Sequence, residues 1–167
     1  MTSILLSAWL GAAVLFATVV APAAFAVLPS RLLAGALVGR VLPVLFLSGI
    51  AAAVAGLVID RRGGGAMPNV RRAAMTIIVL ACAIAQFGIA PRIERVRSQI
   101  VGPIEQLSRD DARRAAFGRL HALSVGWLGL AMVGAATVIV LTSRPLRPDA
   151  SSRDAPAHPD ALASAIR

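Results

Sequence analysis

The chain has 167 residues, 57% of them hydrophobic and 15% charged, and a formal net charge of +9. Ordinary soluble domains are about half apolar and about a quarter charged, so the composition excludes water as the surrounding of most of this chain. The basic excess would point to nucleic acid in a soluble protein, but here the arginines gather at the ends of apolar stretches, where anionic headgroups and loop retention account for them; no nucleic acid partner is expected.

No charged residue precedes Arg31, and further charge-free windows run over 41–59, 73–91 and 120–143. Roughly 20 helical residues cross the ~30 Å hydrocarbon core, so each window spans once. Alternating short strands are missing, and lipid offers backbone groups no hydrogen-bond partner, so the spans are helices and not barrel strands. The expected fold is all-α, a polytopic membrane protein. It is a bundle of four transmembrane helices over about 4–28, 32–58, 73–90 and 119–142, with an amphipathic connector between helices 3 and 4. Residues 1–143 form the domain and 144–167 a tail. The basic residues are all Arg, with Ala and Gly abundant and Tyr absent, a pattern of GC-rich bacterial genomes. The expected location is the bacterial inner (cell) membrane, multi-pass.

In the first span, Ala24-Phe25-Ala26 has the small-x-small form of a signal-peptidase site. The apolar stretch of about 24 residues exceeds that of a signal peptide, and no positive charge precedes it, so a retained helix is expected. Trp9 suits an interfacial anchor. After Pro29, Ser30 starts the second helix, and Arg40 falls near the membrane boundary, where its stem can snorkel. Residues 60–72 read as a flexible hairpin loop with paired arginines at both ends. Its glycine run lacks a following Gly-Lys-Ser/Thr, so it is no phosphate loop.

The third helix runs from about Arg72 and is expected to stop at Pro91. Ile93, Val96, Ile100 and Val101 then recur at helical spacing opposite Arg92, Glu94, Arg95 and Arg97, which predicts a short helix on the membrane surface. Ser108, with Asp111 three residues on, forms a capping-box-like start for a helix running unbroken to Thr142. From Pro145 the chain is polar, without apolar periodicity, and is expected to be disordered.

An alternating path brings Arg40, Gln86, Arg119 and His121 to one face of the bundle. Polar groups at membrane depth usually face the bundle interior or a water-filled vestibule, so these four form the candidate functional polar cluster. His121 suits a proton carrier, an anion contact or a metal ligand, or a hydrogen-bonded interfacial residue. Haem would need a second intramembrane histidine, and His158 sits in the tail. Met67, Met75, Met132 and Cys82 lack the spacing of a copper site. Ser124 shares a helical face with His121, but a serine there commonly bonds its own helix. No catalytic, cofactor or metal site is expected, and the chain is not read as an enzyme. Gly35 with Gly39, Ala81 with Ala85, and Ala122 with Gly126 form small-xxx-small steps for close helix approach. Trp127 is expected to pack inside the bundle.

Ala8-Trp9-Leu10-Gly11, Ala34-Gly35 to Pro43, and Phe117-Gly118-Arg119-Leu120-His121-Ala122-Leu123-Ser124 together resemble the transmembrane protein 205-like family over about residues 5–143. That resemblance implies a membrane location and a four-helix domain of unknown function. The chain departs from the family where an asparagine often follows in helix four, and Gly126, Trp127 and Leu128 stand there.

The expected activity is the binding or movement of a small solute, or company to a larger transporter, through the polar cluster. The alternative is a structural or assembly subunit that packs against other membrane proteins, and a haem or quinone redox subunit is a third class. The expected partners are the lipid bilayer and other membrane proteins or a second copy in a homo-oligomer. Arginines flank the spans on both sides in similar number, so the positive-inside rule does not orient the bundle.

Overall fold

A computed structural model describes residues 2–60, 67–100, 104–108 and 110–143. Four long helices carry it: α1 (Thr2–Val27), α2 (Arg31–Asp60), α3 (Pro68–Ser98) and α4 (Ala112–Ser143), each long and apolar enough to cross a membrane. Only a 3-10 turn at Ile104–Gln106 interrupts the described part of the link between α3 and α4. The polar tail and the glycine run with Arg61 and Arg62 lie outside the described residues.

Local chemistry sets the helix starts. Ser30 caps α2: its hydroxyl accepts the Leu33 N–H at 3.2 Å and its carbonyl takes the Ala34 N–H. At α4 the cap is Asp111 and not Ser108, because Asp111 Oδ1 accepts the Arg113 N–H at 2.8 Å. Ser108 serves the turn before it, where its carbonyl accepts the Asp111 N–H. A carboxylate on the first free N–H groups also complements the helix dipole, which is why the aspartate wins the cap. From there α4 runs unbroken for 32 residues.

Proline does not end α3. Ala90, immediately before Pro91, donates its N–H five residues back to Ala85, closing a π-helical turn over Ile84–Ile89, and the helix continues to Ser98. The same device recurs in α1, where Ala21 precedes Pro22 and donates to Phe16. A proline ring collides with the carbonyl four residues back in a regular α-helix. One wide turn just ahead of it shifts the register and lets the chain pass. The segment expected as a separate surface helix is therefore the end of α3, and it packs against the start of α4.

The helices form a ring in which α1 packs on α2 and α4, and α3 packs on α2 and α4. Leu6, Met75, Ile78, Ala81, Cys82, Ala135 and Val138 fill its centre with no exposed surface. The outer face is as apolar as the core: Val27, Val44 and Phe87 are 81%, 66% and 66% exposed. Apolar inside and outside, with charge confined to the helix ends, is the pattern of helices dissolved in lipid. Association then rests on close packing rather than on hydrophobic burial. Gly49 supplies one close approach: an added Cβ would fall 2.7 Å from the Trp9 indole. Trp9 is therefore no interfacial anchor. It is 5% exposed and donates from Nε1 to the Leu45 carbonyl at 2.9 Å, one helix over. Trp127 is half-buried against the core, as its depth implied.

Candidate functional site

The two ends of the ring differ. Where α1 and α4 end their pairing with α2 and α3, at Thr2, Asp60 and Arg71, the bundle is closed. Asp60, the last residue of α2, is 3% exposed and pairs with Arg71 in the first turns of α3, with Arg72 Nε at 3.8 Å from its other oxygen. Thr2 and Met75 converge on Gly56 beside this pair, close enough that an added Cβ would lie 2.7 Å from the Met75 sulfur.

At the opposite end α2, α3 and α4, with Phe25 from the last turns of α1, line a cavity of about 480 Å³. Its walls are Leu32, Val38, Leu42, Pro43 and Phe46 of α2, Ile93 of α3, and Phe117 of α4, with Ile100 and Ile104 from the connector across the mouth. Into this apolar space come Arg31, Gln86, Glu94, Arg97, Ser98, His121 and Ser124. Arg97 crosses to α2, where Nη2 donates to the Leu32 carbonyl at 3.1 Å, and its guanidinium lies over Gly35 and Gly39. That pair of small residues thus meets an arginine and not a packed helix.

Gln86 stands in the π-helical turn of α3. The wider turn lets Ala85 face the core, fully buried, while Gln86 beside it faces the cavity. Gln86 Oε1 is buried and accepts no hydrogen bond, one of three such side-chain atoms among the described residues. A buried carbonyl without a donor costs about 1–3 kcal/mol, so this position is polar at the expense of stability. His121 stacks on Phe117, one turn earlier in α4, with ring centroids 6.2 Å apart and planes 4° from parallel. Among the described residues no three metal-ligating side chains converge.

Of the four residues singled out by sequence, Gln86 and His121 share this cavity. Arg40 and Arg119 are exposed and lie outside its lining. The cavity adds Arg97, Glu94 and Ser124. Arg97 was legible only as part of an amphipathic stretch, because its inward role follows from α3 continuing past Pro91. The closed end holds the other surprise. Asp60 and Arg71 looked like loop charges in sequence, and no local pattern marked them as a buried pair.

The four apolar spans, the apolar outer surface and the polar cavity define a multi-pass helical membrane protein whose pocket is lined by residues of all four spans. The chain belongs to the family described as a domain of unknown function, DUF4149, whose model matches residues 4–101. That match takes in α1, α2 and α3, hence Gln86, Glu94 and Arg97, and stops before α4. No curated protein matches the chain, and no solved structure does either. Nothing in these comparisons links it to the transmembrane protein 205-like family.

Proposed function

We propose that this protein is a non-enzymatic membrane protein that binds a small solute in the cavity at the open end of the bundle, to move it or to hand it to a transporter. The observation that carries the reading is the cavity of about 480 Å³ with the unsatisfied, buried amide oxygen of Gln86 in its lining. This volume falls within the range of small-molecule sites, which are mostly apolar with a few convergent polar groups. The arginine-only, Ala-rich composition supports a bacterial cell membrane as its location. The Phe117 to Ser124 stretch lies beyond the DUF4149 match and is what supports a tie to the transmembrane protein 205-like family.

Purification in gentle detergent, followed by extraction and mass spectrometry of bound small molecules, tests the reading. Val38→Trp, which fills the cavity, is expected to lose a species that the parent protein retains. Identical small-molecule content in the two preparations would sink it.

A second reading, an assembly subunit, has one observation in its favour. Ala122 and Gly126 are exposed on α4, and nothing lies within 4 Å of a Cβ added at Gly126. This small step faces outward and supports helix packing between chains. Gly126→Leu should abolish any cross-linked dimer or hetero-complex found in membranes; unchanged cross-linking removes the reading.

A further inference from the structure

The cavity has a polarity gradient that narrows what it can take, and the inference that follows rests on its reading as a binding site. Its mouth carries Arg97 with Glu94, and Arg92 and Arg95 lie exposed on the same end of α3, so this stretch of helix sets three guanidinium groups against one carboxylate. Its middle is the apolar wall of Leu32, Val38 and Leu42. Its inner end holds Gln86, whose Oε1 is buried without a donor. Arg97 and Gln86 are eleven residues apart on α3, about 16 Å along a helix axis. A space of about 480 Å³ is of the size of small-molecule sites and takes a short chain with a head.

We infer that the ligand is a single-chain amphiphile with an anionic head held by Arg97 and a hydrogen-bond donor near the far end of its chain, given to Gln86. The guanidinium spends one N–H on the Leu32 carbonyl and has further donors for a carboxylate or phosphate oxygen. Gln86 has an acceptor that this protein does not itself satisfy, and a hydroxyl on the ligand removes that cost. Glu94 at the mouth disfavours a second negative charge and so favours a monoanion.

The test uses the full chain in phosphatidylcholine nanodiscs and equilibrium binding of dodecanoic acid, ω-hydroxydodecanoic acid and dodecanol, corrected for partition into empty nanodiscs. The acid should bind about tenfold tighter than the alcohol, the strength of a charge-assisted hydrogen bond. Arg97→Gln should erase that preference and Arg97→Lys keep part of it, so that misfolding is told apart from loss of charge. The terminal hydroxyl should add about fivefold, the strength of a neutral hydrogen bond, and Gln86→Leu should remove that gain alone. Equal affinity for acid and alcohol overturns the anionic head. A hydroxyl gain that survives Gln86→Leu overturns the inner contact. Binding of none of the probes, while the Val38→Trp comparison still reveals a retained species, overturns the amphiphile and leaves the binding reading standing; failure of both removes both. Nanodiscs containing phosphatidylglycerol add a last arm: undiminished acid binding there supports a free single-chain acid, whereas weakened binding gives the anionic head to a two-chain bilayer lipid and overturns the single chain.

Discussion

The bundle closes one end with charge and leaves the other open around charge. At the closed end Asp60 and Arg71 neutralise each other inside the fold, and Gly56 lets Thr2 and Met75 seal the space beside them. At the open end Arg97 bonds only a backbone carbonyl across the gap, and Gln86 is left with an unspent acceptor. A polar side chain at membrane depth is a clasp when its partner comes from the next helix, as Asp60 and Arg71 are, and Gln86, which has no such partner, is the group our proposal gives to a ligand. An arginine stands at both ends, and what differs is its partner: a carboxylate for Arg71 and a backbone carbonyl for Arg97.

The sharpest way to break this contrast is to remove half of the clasp. Asp60→Ala leaves Arg71 buried without its counter-charge and should cost about 3–5 kcal/mol, read as a lower midpoint in thermal or detergent unfolding. Replacing the pair together by Asp60→Leu and Arg71→Met should recover most of that loss. A single variant as stable as the parent would mean that the pair does not close this end.

Next in size is the close contact midway along the bundle. Gly49→Val drives a side chain into the Trp9 indole, and overpacking of this kind costs about 1–3 kcal/mol. Trp9→Phe keeps the ring and loses the bond to the Leu45 carbonyl, which should cost about 1 kcal/mol by the same unfolding measurement.

The opposite sign is expected at the open end. Gln86→Leu removes a buried acceptor that has no donor and should leave the protein as stable or up to about 1 kcal/mol more stable, whereas a loss comparable to that of Asp60→Ala would make Gln86 a structural residue and dissolve the contrast between the ends.

The smallest effect concerns the half-buried cap that starts α4. A side-chain hydrogen bond from Arg113, with a second from its backbone N–H, holds the Asp111 carboxyl down from 3.8 to about 2. Because the folded value is the lower one, the cap's contribution is complete above the ordinary carboxylate range and is lost as pH falls from 3.8 through about 2. Hydrogen exchange of the first α4 turn should quicken over that interval in the parent and stay flat in Asp111→Asn, which caps without titrating.

The number of spans, their helical form and their order were legible in sequence, because lipid demands long uncharged stretches and permits only self-satisfied helices. The α2 start was legible too, since Ser30 caps by a local bond. The α4 start was misplaced by one short turn because Ser108 and Asp111 are both competent caps, and their competition is settled by geometry. Half of the proposed polar face, Gln86 and His121, meets in the cavity. Arg40 and Arg119 share its depth but project elsewhere, and depth is all that a linear map of charges records.

What sequence determined on its own was a solvent: the charge-free windows commit this chain to four helices in lipid. Three features were decided by tertiary structure: a π-helical turn carries α3 past Pro91, Asp60 and Arg71 vanish into a pair, and Arg97 becomes part of a cavity. Each depends on what a neighbouring helix or a shifted hydrogen bond supplies. A hydropathy pattern sees the environment of a segment, and the partner of an individual polar group exists only once the helices have packed.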